Sequence, residues 1–79
     1  MTSLPLPPDP DGLNASRAAW AFVALRAFSD ACRTDWEDAL TDLLCDLMHL
    51  ADRAPEFDFG LALERAQRHY EAETAGEVL

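Results

Sequence analysis

The sequence predicts an all-α protein, a compact three-helix bundle over residues 14–79 with an extended Pro-rich N-terminal arm over residues 1–13. Three observations predict it. Apolar residues recur every three or four positions in three segments, about 15–32, 35–54 and 59–74. Capping residues and Pro55 punctuate the boundaries between them. No run alternates apolar and polar residues as a half-buried strand does. Because the connections are only a few residues long, an up-down-up bundle is the simplest way to bury every stripe. At 79 residues the chain makes one domain. A single core of that size is only marginally stabilising, so self-association would add to it.

The arm, "MTSLPLPPDPDGL", is rich in turn and polyproline signals and has no period. Pro5 and Pro8 form a PxxP spacing, but ligands of SH3 type usually add a basic residue, and here only Asp9 and Asp11 follow. The arm is therefore expected to lie over the bundle. Asn14 is the expected N-cap of the first helix, since its short side chain accepts from first-turn amides. In that helix Trp20, Val23, Ala24, Ala27 and Ala31 form one stripe, which Phe22, Leu25 and Phe28 widen until little polar surface remains. A helix apolar nearly all round is expected to be central and buried.

Thr34 and Glu37 have the spacing of a capping box and are expected to start the second helix, and Pro55 to end it. Its apolar stripe runs through Trp36, Leu40, Leu43, Leu44, Leu47, Leu50 and Ala51. Asp58 is the expected N-cap of the third helix, and Gly76 its expected stop. There Phe59, Ala62, Leu63, Ala66 and Tyr70 give the apolar face, with His69 expected partly buried beside Tyr70. Glu64 and Arg68 make an i,i+4 pair in the favourable orientation.

Fifteen acids against six arginines, with no lysine, give a net charge of -9. The 27% charged fraction is well interleaved with a 49% hydrophobic fraction, as in chains that fold. Direct binding to nucleic acid or to an anionic membrane surface needs a cationic footprint and is not expected. The longest apolar run, "AAWAFVAL", falls far short of the roughly 20 residues that span a bilayer. Cys32 and Cys45 lie inside helical patterns, form no CxxC and follow no secretory signal, so reduced thiols and a cytoplasmic location are expected. A bridge between them, feasible on antiparallel helices, is the lesser option.

The charge is concentrated. Residues 30–58 hold nine acids and two arginines, a balance of -7, whereas residues 14–29 hold two arginines and no acid, a balance of +2. Asp35, Asp38, Asp42 and Asp46 step by three, four and four residues, which on one continuous helix sets the carboxylates along one side. At about 1.5 Å of rise per residue they would sit roughly 4.5–6 Å apart along the axis. That approaches the spacing of nucleic-acid phosphates, about 3.4 Å per strand. Like charges at i,i+4 oppose the helix by a few tenths of a kcal/mol, and Asp42 and Asp46 lie past the reach of the helix dipole. Helix stability therefore does not explain the row.

A solvated face that keeps an alanine-rich bundle soluble is the bland reading. The sharper one is a surface, Asp35, Asp38, Asp42 and Asp46 helped by Glu37, that mimics nucleic-acid charge and occupies the basic surface of a nucleic-acid-binding protein. Asp46 and His49 also give the D-x-x-H spacing of a di-iron bundle, but the remaining ligands of that set are missing, so no metal is expected. "LTDLLCDLMHLA" resembles part of a helix of the all-α nucleotide pyrophosphohydrolases, yet the ExxE and ExxD pairs that hold magnesium in that family are absent. Nothing matches a nucleophile triad, a P-loop or a dinucleotide fingerprint, and neither catalysis nor a cofactor is expected. The alternative to mimicry is a structural or regulatory helical module that self-associates through apolar surface left on helices one and three. The mimic would work as a monomer or weak homodimer; the module would need its dimer.

The segments "PLPPDPDGLNASRAAWA", "DWEDALTDLLCDLMHLADR" and "DFGLALERAQRHYEAET" resemble small acidic proteins of proteobacterial mobile genetic elements, meaning integrative elements, plasmids and phages. Abundant alanine and arginine without lysine is similar to proteins of GC-rich genomes. The resemblance implies the cytoplasm of a bacterial host and an inhibitor of anti-CRISPR or anti-restriction type. It carries over no catalytic residue.

Overall fold

A computed structural model describes residues 5–75, and these form an all-α structure of three helices with no strand among the described residues. The helices are α1, Leu13–Cys32; α2, Ala39–Arg53, entered through a 3-10 turn at Trp36–Asp38; and α3, Phe59–Thr74. No described helix is long and apolar enough to cross a membrane. Gly76, the expected stop of the third helix, lies outside the described residues.

The start of α1 differs from expectation. Gly12 occupies its N-cap position at φ 74°, a left-handed conformation that suits a residue without a Cβ. Asp9 supplies the cap from outside the helix: its two carboxylate oxygens accept from the amides of Asn14 and Ala15 at 2.9 and 3.0 Å. Asn14 is thus not the cap. Being inside the first turn, it accepts from the Arg17 guanidinium through Oδ1 and donates through Nδ2 to the carbonyl of Glu73, tying the start of α1 to the end of α3. A 3.5 Å ion pair between Arg17 and Glu73 reinforces that junction.

The other end of α1 closes on Arg33, which takes φ 59° while its amide donates to the Ser29 carbonyl at 2.8 Å. A side chain with a Cβ in this region costs about 1–2 kcal/mol. Arg33→Gly is therefore expected to stabilise the fold by about 0.5–1 kcal/mol, part of the relieved strain being offset by the entropy of an unfolded glycine. Urea denaturation measures it; an unchanged midpoint would show that the corner is not strained.

The capping box at Thr34 does not form. Neither Asp35, before the 3-10 turn, nor Asp38, before α2, makes a side-chain cap bond. Thr34 instead donates its hydroxyl to the Asp42 carboxylate, while its carbonyl accepts from Ser29 Oγ at 3.1 Å. The segment opens as a 3-10 turn, in which Asp38 N donates to Asp35 O at 3.0 Å. At the far end Ala54 is extended ahead of Pro55, as the residue before a proline must be to avoid the ring. Asp58 then caps α3, accepting from Leu61 N at 2.9 Å.

Packing is sparse. Ala39 is fully buried and Ser29 is 8% exposed, and they are the only buried residues among those described. Phe22, Leu25, Phe28 and Ser29 share the side of α1 that meets α2, where Leu25 and Phe28 are half-buried. Trp36 lies edge-on to Phe22, ring centroids 5.4 Å apart, and receives the Arg26 guanidinium over its ring at 5.6 Å. The opposite stripe of α1 is not buried: Trp20 and Val23 remain 67% and 68% exposed. An apolar circumference predicts burial only if enough neighbours exist to surround it, and two shorter helices cover one side of α1 alone. His69 and Tyr70 are likewise exposed.

Candidate functional site

The corner between α1 and α2 sets the five acids of the candidate surface. Arg33 reverses the chain, and the Ser29 and Thr34 bonds hold the reversal closed. Trp36 then turns back onto Phe22 and Arg26. Trp36 stays partly exposed beside α1, and its neighbours Asp35, Glu37 and Asp38 stand in solvent.

Asp35 has extended backbone and precedes the 3-10 turn, Glu37 and Asp38 lie within it, and only Asp42 and Asp46 belong to α2 proper. The single straight helical edge expected from the spacing is thus replaced by a bent strip, in which the 3-10 rise of about 2 Å per residue and the extended residue displace the first members. Asp42 is half-buried and accepts from Thr34, so it works as part of the corner. Asp35, Glu37, Asp38 and Asp46 are exposed.

None of the five carboxylates forms an ion pair among the described residues. The pairs observed there are Arg17–Glu73, Arg26–Asp30 and Arg68–Glu64, all outside the strip. Arg53, on the same helix, donates to the carbonyl of His49. The strip therefore carries charge that no neighbouring arginine neutralises, in a segment whose balance is already -7. One turn further along, ligand atoms of Cys45, Asp46 and His49 lie within 4.8 Å of one another, all on exposed residues of one helix. Cys32 and Cys45 are both exposed free thiols.

Two features that shape the surface escaped sequence reasoning. One is that Trp36 sits in a 3-10 turn, edge-on to Phe22 and under Arg26, where the period of the second helix had set it on one continuous stripe with the leucines. The other is the cap from Asp9, for which the turn-forming run "DPDG" was the available signal.

Fold and site together define a small acidic all-α domain with an uncompensated carboxylate strip. Comparison of the chain with protein-family models, curated proteins and solved structures returned no match.

Proposed function

We propose that this chain is a non-catalytic protein-protein interaction module whose strip of Asp35, Glu37, Asp38 and Asp46, steadied by Asp42, occupies the basic surface of a nucleic-acid-binding protein. The observation that carries this reading is the exposure of four carboxylates with no arginine in ion-pair reach among the described residues. A solvated face serving solubility would tolerate interspersed cations, which is how most protein surfaces are built. A strip kept free of them raises a local field that steers a cationic partner and displaces its counterions. The resemblance to acidic mobile-element proteins supports a host defence effector as the target and the bacterial cytoplasm as the setting. The bend in the strip favours a partner whose cations lie in a cluster over one that follows a long straight duplex.

The test immobilises the full chain, passes a bacterial lysate over it, and repeats this with Asp35, Asp38 and Asp46 all changed to lysine. Asp42 is left intact because its carboxylate holds Thr34. Nucleic-acid-binding proteins are expected on the native chain, to be released by high salt and displaced by duplex DNA, and to bind the variant about a hundredfold more weakly. Equal capture by the variant, or capture that DNA does not displace, would mean the strip is only a solvated face.

The alternative of a self-associating module is favoured by a separate observation, the exposed apolar stripe of α1. The compact bundle expected of one chain is not closed, since among the described residues only Ala39 and Ser29 are buried and the apolar stripes stay open.

A further inference from the structure

We infer that a second copy of this chain docks along the outer face of α1, about a two-fold axis, and covers the apolar stripe that one chain leaves in water there. The accessible surface of the chain is 6875 Å² for a mass of 8.7 kDa. A compact monomer of that mass exposes about 4,700 Å². The radius of gyration is 15.1 Å, against about 11.6 Å for a compact chain of this length. Large apolar side chains on all three helices account for much of the surplus. A standard interface removes about 800 Å² from each partner, so a contact that covers only part of the surplus of roughly 2,000 Å² reaches the size of a stable dimer.

Charge selects the face. Two chains of net charge -9 repel, and least where neither brings an unpaired carboxylate to the contact. Residues 14–29 contain no acid, and the next acid, Asp30, is paired with Arg26 at 3.8 Å. The outer stripe of α1, Trp20, Val23, Ala24, Ala27 and Ala31, is exposed and carries no charge. The alanines let a second helix approach to the 8–10 Å of ordinary helix packing, and Trp20 and Val23 supply the apolar area. An uncharged stripe offers a charged foreign protein no complementary group, whereas a two-fold axis brings to it the same uncharged stripe from a second copy. The acid strip is at the opposite end of this charge division and stays in solvent.

The inference does not depend on the acidic-surface reading, and the two fail separately: salt weakens capture through the strip but leaves an apolar dimer intact. Light scattering on the full chain at tens of micromolar is expected to give twice 8.7 kDa, at low and at high salt alike. Trp20→Glu combined with Val23→Glu is expected to abolish the doubled mass, while Leu63→Glu, on the exposed face of α3, retains it. In case the double variant does not fold, the native chain supplies an independent readout. Tenfold dilution of a dimer that unfolds to single chains lowers its thermal midpoint by roughly 3–5 °C. A mass of 8.7 kDa with a midpoint independent of concentration would overturn the inference. So would a dimer that survives the double variant or is lost in Leu63→Glu, either of which puts the contact elsewhere. A single chain that binds apolar dyes and unfolds without cooperativity would overturn it too, by leaving the stripe to a different protein.

Discussion

Ala39→Leu is expected to cost about 1–3 kcal/mol and to shift the urea midpoint accordingly, the cost typical of overpacking a filled site. Ala39 is the only side chain with no exposure among the described residues, and it opens α2 where that helix leaves the 3-10 turn and crosses α1. Three added carbons have no void to enter, so the helices must separate or the corner must shift. A domain of this size has only a few kcal/mol of total stability, and the loss would be a large share of it. Ala39→Ser, nearly equal in volume, is the control and is expected to cost much less. If Leu is accepted without loss, α1 and α2 do not meet closely at Ala39.

Trp36→Ala is expected to destabilise the fold by about 2 kcal/mol. The sum has three parts: the area of a ring that is only partly covered, an edge-on aromatic contact, and an exposed cation-π contact. Trp36 is the side chain that brings the 3-10 turn back onto α1, through Phe22 at 5.4 Å and Arg26 at 5.6 Å. Its loss also frees Asp35, Glu37 and Asp38 to reorient, so partner capture is expected to weaken along with stability. Trp36→Phe keeps the edge contact and is expected to recover most of both. Denaturation and capture measured on the same variants separate a loosened corner from a lost charge, because Trp36 contributes no charge to the strip.

The two outer boundaries most legible in the sequence are those set by residues acting on their immediate neighbours. Pro55 stops α2 by constraining the residue before it, and Asp58 caps α3 by reaching an amide three positions on. The Glu64 and Arg68 pair, at 3.2 Å, is equally local. Asn14 and Thr34 were misread for one shared reason. Each is a good cap in isolation, but the Asp9 carboxylate takes the first amides of α1 while Asn14 Oδ1 accepts from Arg17, and the Thr34 hydroxyl turns to the Asp42 carboxylate eight residues on. Local competition between a cap and a more distant acceptor is invisible to spacing rules.

The acid row shows the same division. Its composition, its lack of cations and its opposition to the leucine stripe can all be counted along the chain. Its line could not be, because the straight edge assumed one unbroken helix from Thr34 onward, and the corner substituted a 3-10 turn.

By itself, then, the sequence determined that this is an all-α chain of three helices, where α2 ends and α3 begins, and that its negative charge gathers in the middle. These follow from periodicity, from proline and capping chemistry and from residue counts, all of which act over a few positions. The tertiary structure alone decided which side of α1 is covered, which carboxylate is tied into the corner and which stand free, and how much apolar surface one chain leaves in water. Those outcomes depend on how many neighbours a helix has and how they cross it. Burial is a property of the surroundings, and a pattern along one helix records only its readiness to be buried.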